Sequence, residues 1–394
     1  MSRLRPSRRS EVAPFMAMEA LREARALERA GRHIIHMELG EPGAPVPRRV
    51  REAAEAALAR GALGYGEAMG DLALRKRIAG HYLTRYGVEI APDRVIVTTG
   101  SSGGFMLALL AAFDPGARIA VTAPGYPAYA NILSSLGLEA VPLPVGAHTR
   151  FAPTAAMLEA AHREKPLDGA LLMSPANPTG AMIGAEEFAR ICGFCEEAGV
   201  VFVSDEIYHG LEYAEPAQTA LGFTRQAIVV NSFSKYYAMT GWRLGWLVAP
   251  EELMRPLERL QQSLAICAPT ISQQAALAAF DATGELEENR AAYARNRALL
   301  LERLPAMGLD RFAPPDGAFY IYADVSAFTD DSMDFCKRLL TEAGVAATPG
   351  IDFDPRGGAT SVRFSYAGAE ADVAEGVARL GAWLSPLPVK RGEG

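Results

Sequence analysis

The chain has 394 residues, 49% of them hydrophobic and 22% charged, the balance of an ordinary globular protein long enough for two domains. Its net charge of −7 argues against a nucleic-acid partner, which would demand a basic surface. No apolar stretch approaches the roughly 20 residues needed to cross a bilayer, so no membrane partner is expected either.

In chain order, the Arg-rich opening "MSRLRPSRRS" has no apolar run behind it. It reads as a flexible basic arm and not a secretory signal, with a transit peptide as the alternative. Residues 13–30, "APFMAMEALREARALERA", predict one amphipathic helix ending at Gly31. From about residue 90 to 250, short apolar runs alternate with helical segments. The runs are "RVIVTTG", "RIAVTAP", "EAVPLPV", "GALLMSP", "VVFVSDE", "AIVVNSF" and "WRLGWLVA". Several are near-continuous and β-branched, as strands covered on both faces must be. Stretches such as "SGGFMLALLAAF" and "GAEEFARICGFCEEAG" then supply the crossover helices.

From about residue 285, helices mix with short strands such as "GAFYIYADV" and "TSVRFSYAG". The expected fold class is α/β: a large domain with a mainly parallel seven-stranded sheet between helices, plus a smaller α+β domain. The expected division is 1–45 as arm and helix joined to the small domain, 46–284 as the large domain, and 285–394 as the C-terminal small domain. Four cysteines make no disulfide framework for this length and predict a reducing, cytoplasmic compartment. Cys192 and Cys195 form a C-x-x-C inside a helical pattern with no second pair, so they read as packed helix residues, and no metal is expected.

Ligands of open α/β sheets bind beyond the carboxyl ends of the strands. The residues ending the runs are Gly100, Ser101 and Ser102, then Tyr126, Asn177, Asp205 to Tyr208, and Ser232 to Lys235. A lysine in a partly apolar pocket loses its proton readily and can form a Schiff base with an aldehyde, although alone Lys235 reads more readily as structural. Asp205 emerges buried from its run, where it serves as a cap, an ion-pair member or a partner for a protonated ring nitrogen. Tyr208 can point at the same ligand. "TTGSSGG", between strand and helix, has the form of a phosphate cradle, and Ser232, Ser234 and Arg243 add hydroxyls and a fixed positive charge.

An aldehyde, a ring nitrogen and a phosphate together describe pyridoxal 5′-phosphate. The chain resembles the class I/II aminotransferases of the fold-type I enzymes that use this cofactor. The resemblance runs through "ELGEPG", "GYGEAMGDLALRKRIA", "TTGSSGG", "APGYPAY", "SPANPTG", "SDEIY", "SFSKYYAMTGWRLGW", "PDGAFY" and "SVRFSYAG". It implies that Lys235 forms the internal aldimine, that Asp205 pairs with the pyridine nitrogen, and that Tyr208 and Asn177 bond the ring oxygen. Tyr126 would stack on the ring, while Ser101, Ser102, Ser232, Ser234 and Arg243 would hold the phosphate. Tyr65 would reach the phosphate of the neighbouring subunit, which implies a homodimer with shared sites. Arg363 would bind the substrate α-carboxylate, and Gly40 would leave room beside it.

The activity so implied is transamination of an L-amino acid with a 2-oxo acid through a pyridoxamine phosphate intermediate. A carbon–sulfur β-lyase is the alternative. Dicarboxylate substrates need a second cation, for which Arg32 and Arg356 are the candidates. An aliphatic, aromatic or sulfur-bearing amino acid is favoured, with 2-oxoglutarate or pyruvate as acceptor. His209 either shapes the pocket or fills a loop.

Overall fold

The computed structural model describes residues 4–61 and 63–387. The first three residues of the basic arm, Ala62 and the last seven residues of the expected small domain lie outside them.

After a short 3-10 turn at Arg8–Ser10, the first α-helix spans Met16–Arg29, close to the predicted span, and a two-residue strand β1 (Ile35–His36) follows it. Seven further strands form the main sheet: β2 (Val95–Thr98), β3 (Arg118–Ala123), β4 (Glu139–Pro144), β5 (Gly169–Met173), β6 (Val201–Asp205), β7 (Ile228–Ser232) and β8 (Gly245–Val248). Each lies in one of the seven apolar runs. The spatial order is β2-β8-β7-β6-β5-β3-β4. All neighbours pair in parallel except that β8 runs antiparallel to both β2 and β7.

Alternation along these strands divides the interior into two cores. Ile96, Leu171, Met173, Val203 and Val230 enter one core, while Val95, Val97, Ala170, Leu172 and Val229 enter the other. Each core is closed by helices, so the inner strands are buried on both faces and read as near-continuous apolar runs, while the edge strand β4 keeps Glu139, Pro142 and Pro144 exposed. Cys192 and Cys195 are buried in the second core.

The remaining strands are β9 (Tyr320–Asp324), β10 (Val345–Ala346), β11 (Thr348–Pro349) and β12 (Ser361–Ser365). β11, β12 and β9 form an antiparallel sheet, and β1 pairs in parallel with β10. The N-terminal stretch is thereby tied to residues more than 300 positions away. Among the described residues, no helix is long and apolar enough to cross a membrane.

Because β2, β3, β5, β6 and β7 run in parallel, their carboxyl ends share one edge. The reversed β8 starts at that edge, with Gly245 opposite Ser232 on one side and Thr98 on the other. This reversal brings Arg243, two residues before β8, beside the ends of β2 and β7.

Candidate active site

Beyond that edge lies a cavity of about 250 Å³. Its walls include eleven of the thirteen residues singled out from the sequence: Gly40, Ser101, Ser102, Tyr126, Asn177, Asp205, Tyr208, Ser234, Lys235, Arg243 and Arg363. Two stand elsewhere. Ser232 is buried behind the wall, its hydroxyl spent on the Leu244 carbonyl at 3.0 Å and on Ser234 Oγ at 2.9 Å. Tyr65 is 84% exposed on the outer surface.

Lys235 sits three residues beyond β7 on a loop anchored by Phe233. That ring is fully buried, 4.9 Å from Trp246 and 5.0 Å from Tyr237. With Phe233 pinned inward, Ser234 and Lys235 face the cavity. The Lys235 ammonium donates to the Gly40 carbonyl and lies 5.9 Å from the Tyr208 ring centroid. Burial pushes it down to about 8, with Arg363 and Arg243 adding repulsion against the opposing pull of Glu41 and Asp205.

Asp205, 1% exposed, is the last residue of β6. Its carboxyl accepts the Tyr129 hydroxyl and, at 3.0 Å, the Ile207 N–H. Among the described residues, no arginine or lysine forms a salt bridge with it. Burial therefore pushes it up to about 7, against the pull of those two bonds. The ion-pair role open to it from sequence is not the one it takes. Tyr208 meets Tyr320 hydroxyl to hydroxyl at 2.6 Å.

Arg363 is carried in by β12 and is 3% exposed, so this strand charge faces inward. Its Nη1 donates to Asn177 Oδ1 at 2.8 Å, and its Nη2 donates to the Glu38 carbonyl and to Thr348 Oγ1 at 3.2 Å. The guanidinium carbon lies 4.5 Å from the Tyr320 ring centroid and 4.8 Å from that of Phe353. A buried cation is costly unless it is hydrogen-bonded, and here acceptors and aromatic faces share that task. Its Nε has no partner.

Several cavity residues escaped the sequence reading. Tyr320, Thr240, Glu41, Leu39, Phe15, Ala17 and Met18 line the walls, and Tyr129 supports Asp205 from behind. Tyr320 was the most findable, because a phenol inside an apolar strand needs a polar partner. It also explains Gly40: a Cβ there would fall 2.1 Å from the Tyr320 hydroxyl. His209 faces away from the cavity. Its Nε2 donates to the Ser174 carbonyl at 3.1 Å, which leaves Nδ1 to accept the Tyr86 hydroxyl at 2.7 Å.

The residues fit pyridoxal 5′-phosphate. An amine of lowered pKa suits an aldehyde, and a buried carboxyl without a cation suits a ring nitrogen. A concavity for the phosphate exists because Gly100, at φ +67°, has no side chain: a Cβ there would lie 2.6 Å from Arg243 Nη2. The helix Gly100–Ala112 opens at this point and presents Ser101 and Ser102.

Residues 32–380 match the family described as aminotransferase class I and II. A valine–pyruvate aminotransferase of Mycobacterium tuberculosis is 50% identical over 95% of this chain and 97% of its own length. A (5-formylfuran-3-yl)methyl phosphate transaminase of Methanocaldococcus jannaschii is 36% identical, over 94% of this chain and 97% of its own. The crystal structure of an aminotransferase from Mycobacterium tuberculosis superposes with a TM-score of 0.94 at 50% identity, over 96% of this chain and 99% of that one. The relatives agree on the reaction and differ in the molecules they act on.

Proposed function

The chain belongs to the class I and II aminotransferases, enzymes that move amino groups between amino acids and oxo acids, and from that premise we propose that its donor is an apolar L-amino acid. Aliphatic, aromatic and sulfur-bearing side chains all fall within this reading, with pyruvate or 2-oxoglutarate as acceptor. One observation carries it. Among the described residues, the only cations lining the cavity are Lys235, Arg243 and Arg363, and each already has a task. None remains for a side-chain carboxylate. Arg32 and Arg356 lie outside the cavity, Arg32 at the surface on the Thr341 carbonyl at 2.7 Å. Glu41 in the wall adds repulsion, whereas Phe15, Met18 and Leu39 offer apolar surface. The 50% identical relative named for valine and pyruvate agrees with this choice.

Lys235 would hold pyridoxal 5′-phosphate through its amine, Asp205 through the ring nitrogen, Tyr208 and Asn177 through the ring oxygen, and Tyr126 by stacking on the ring. Ser101, Ser102, Ser234 and Arg243 would hold its phosphate, with Ser232 acting through Ser234. When bound, the cofactor supplies the carbon that carries the amino group and a ring that accepts the electrons of the broken Cα–H bond. Arg363 grips the α-carboxylate with its guanidinium fork, and Asn177 sets the orientation of that fork. So held, the substrate presents its Cα proton to Lys235 Nζ. An amine with a pKa near 8 is poised to take that proton and return it. Asp205 keeps a proton on the ring nitrogen.

The working unit we propose is a homodimer in the reducing cytoplasm, with Tyr65 reaching the phosphate of the partner's site. We retain the division at residues 45 and 284. The test is an absorbance titration of the purified protein with single L-amino acids, with product assay. Stoichiometric 2-oxo acid from valine, leucine, phenylalanine or methionine, and little from aspartate, supports the reading. Preference for aspartate sinks the substrate assignment, and catalytic release of ammonia and pyruvate makes the enzyme a lyase.

A further inference from the structure

The helix Met16–Arg29 begins without a cap of its own: Phe15 stands at the N-cap position and its side chain offers no acceptor. The first amides of a helix have no partner within it. Here they are met from the far end of the chain. Met16 N–H donates to Asp352 Oδ1 at 3.1 Å and Ala17 N–H to Asp352 Oδ2 at 3.4 Å.

Asp352 lies in a tight turn just before Phe353, whose ring meets the Arg363 guanidinium and whose carbonyl accepts the Gly125 N–H at 3.0 Å. Tyr126, next to Gly125, meets the Phe15 ring edge-on at 5.8 Å. The turn at 352–353 therefore joins three things: the helix start, the carboxylate-gripping arginine and the wall bearing Tyr126.

We propose that Asp352 is a positioning residue for the substrate's side chain, fixing the helix start that carries Phe15, Ala17 and Met18 at the cavity. The inference rests on the apolar-substrate reading and deepens it. A carboxylate suits this task because it accepts two N–H bonds at once and its negative charge complements the positive end of the helix dipole. Arg363 fixes one end of the substrate and the capped helix start confines the other. Their shared support at 352–353 sets the spacing between the two grips.

Amide hydrogen exchange and steady-state kinetics of Asp352→Ala and Asp352→Asn test the proposal, with valine and alanine as donors. In Asp352→Ala the amides of Met16 and Ala17 exchange about tenfold faster. KM for valine rises about five- to tenfold, KM for alanine changes by less than about twofold, and kcat and the absorbance of the bound cofactor are unchanged. Asp352→Asn keeps one acceptor oxygen and falls between the two; it carries the test if the alanine variant does not fold. Unchanged exchange at Met16 and Ala17, or an equal loss on valine and alanine, overturns the role of Asp352. A wild-type enzyme that ignores valine, leucine, phenylalanine and methionine alike, or prefers aspartate, overturns the substrate reading instead.

Discussion

Asn177 Oδ1 receives a 2.8 Å hydrogen bond from Arg363 Nη1, joining the loop after β5 to β12 across 186 positions. A guanidinium that swung freely would bind a carboxylate in many poses, and this bond limits them together with those that Nη2 makes to the Glu38 carbonyl and Thr348 Oγ1. On the proposed roles, the loop after β5 would fix the direction in which the substrate is presented to Lys235.

Asn177→Ala should therefore raise KM for the amino acid about tenfold, since it leaves a buried N–H unpaired and one arm of the fork unanchored. Arg363→Lys keeps the charge and loses the fork, and about a hundredfold rise in KM is expected. Equal kinetics for wild type and Arg363→Lys would place the carboxylate elsewhere.

Asp205 sets stability against function. In the cofactor-free protein its carboxyl titrates near 7, above its ordinary 3.8. The native state then holds the extra proton between those values, so this group's contribution falls as pH rises from about 4 to 7 and stays lost above. Asp205→Asn should be more stable than wild type at about pH 8, by on the order of 2–4 kcal/mol, with the gain absent near pH 4. Turnover should be lost, because an amide cannot hold the ring nitrogen's proton. Urea midpoints at the two pH values decide it, and an Asn variant weaker than wild type at pH 8 would refute it.

The main sheet was legible because strands covered on both faces are mostly apolar, so each run announced itself and the polar residues at its carboxyl end marked the rim. Lys235, Asp205 and Asn177 were found that way. Tyr320 and Tyr129 were not, because their hydroxyls matter only through Tyr208 and Asp205, to which the fold alone brings them. Ser232 had the right type and position, yet its side chain turns to the Leu244 carbonyl, which no spacing could foretell. Asp352 reads as an ordinary turn aspartate until the chain closes 336 residues back on Met16. Local pattern reveals what one strand or helix needs, and pairings made by chain closure leave no local trace.

His36 offers a second pH test, of opposite sign to Asp205. Its Nδ1 lies 2.7 Å from Glu38 Oε1 and its Nε2 3.0 Å from Glu28 Oε1, so β1 is clamped to the first helix. The Glu38 bond, chiefly, raises the imidazole to about 9. A raised native value means the clamp's contribution is full below about pH 6.5 and is lost as pH climbs through 9. The Glu38 side chain is buried and the His36 side chain is 32% exposed, so screening trims the effect. His36→Ala should cost about 1–2 kcal/mol at pH 6 and almost nothing more than wild type's own loss above pH 10. A cost that does not change with pH would mean packing, not charge, is what His36 provides.

Tyr65 carries the last prediction. A tyrosine 84% exposed between Gly64 and Gly66 has little use on an isolated subunit, and it does not line its own cavity. If Tyr65 serves the partner's site, two crippled variants can rescue each other. A dimer of one Lys235→Ala and one Tyr65→Ala subunit has one site lacking both groups and one site lacking neither. Random reassociation of equal amounts makes about half the dimers mixed, so activity should return to about a quarter of wild type. If each subunit used its own Tyr65, the subunit that keeps Lys235 would still lack the phenol and mixing would restore nothing. The experiment needs only the two proteins, a brief dissociation and one assay, and the size of the recovery states which subunit owns the residue.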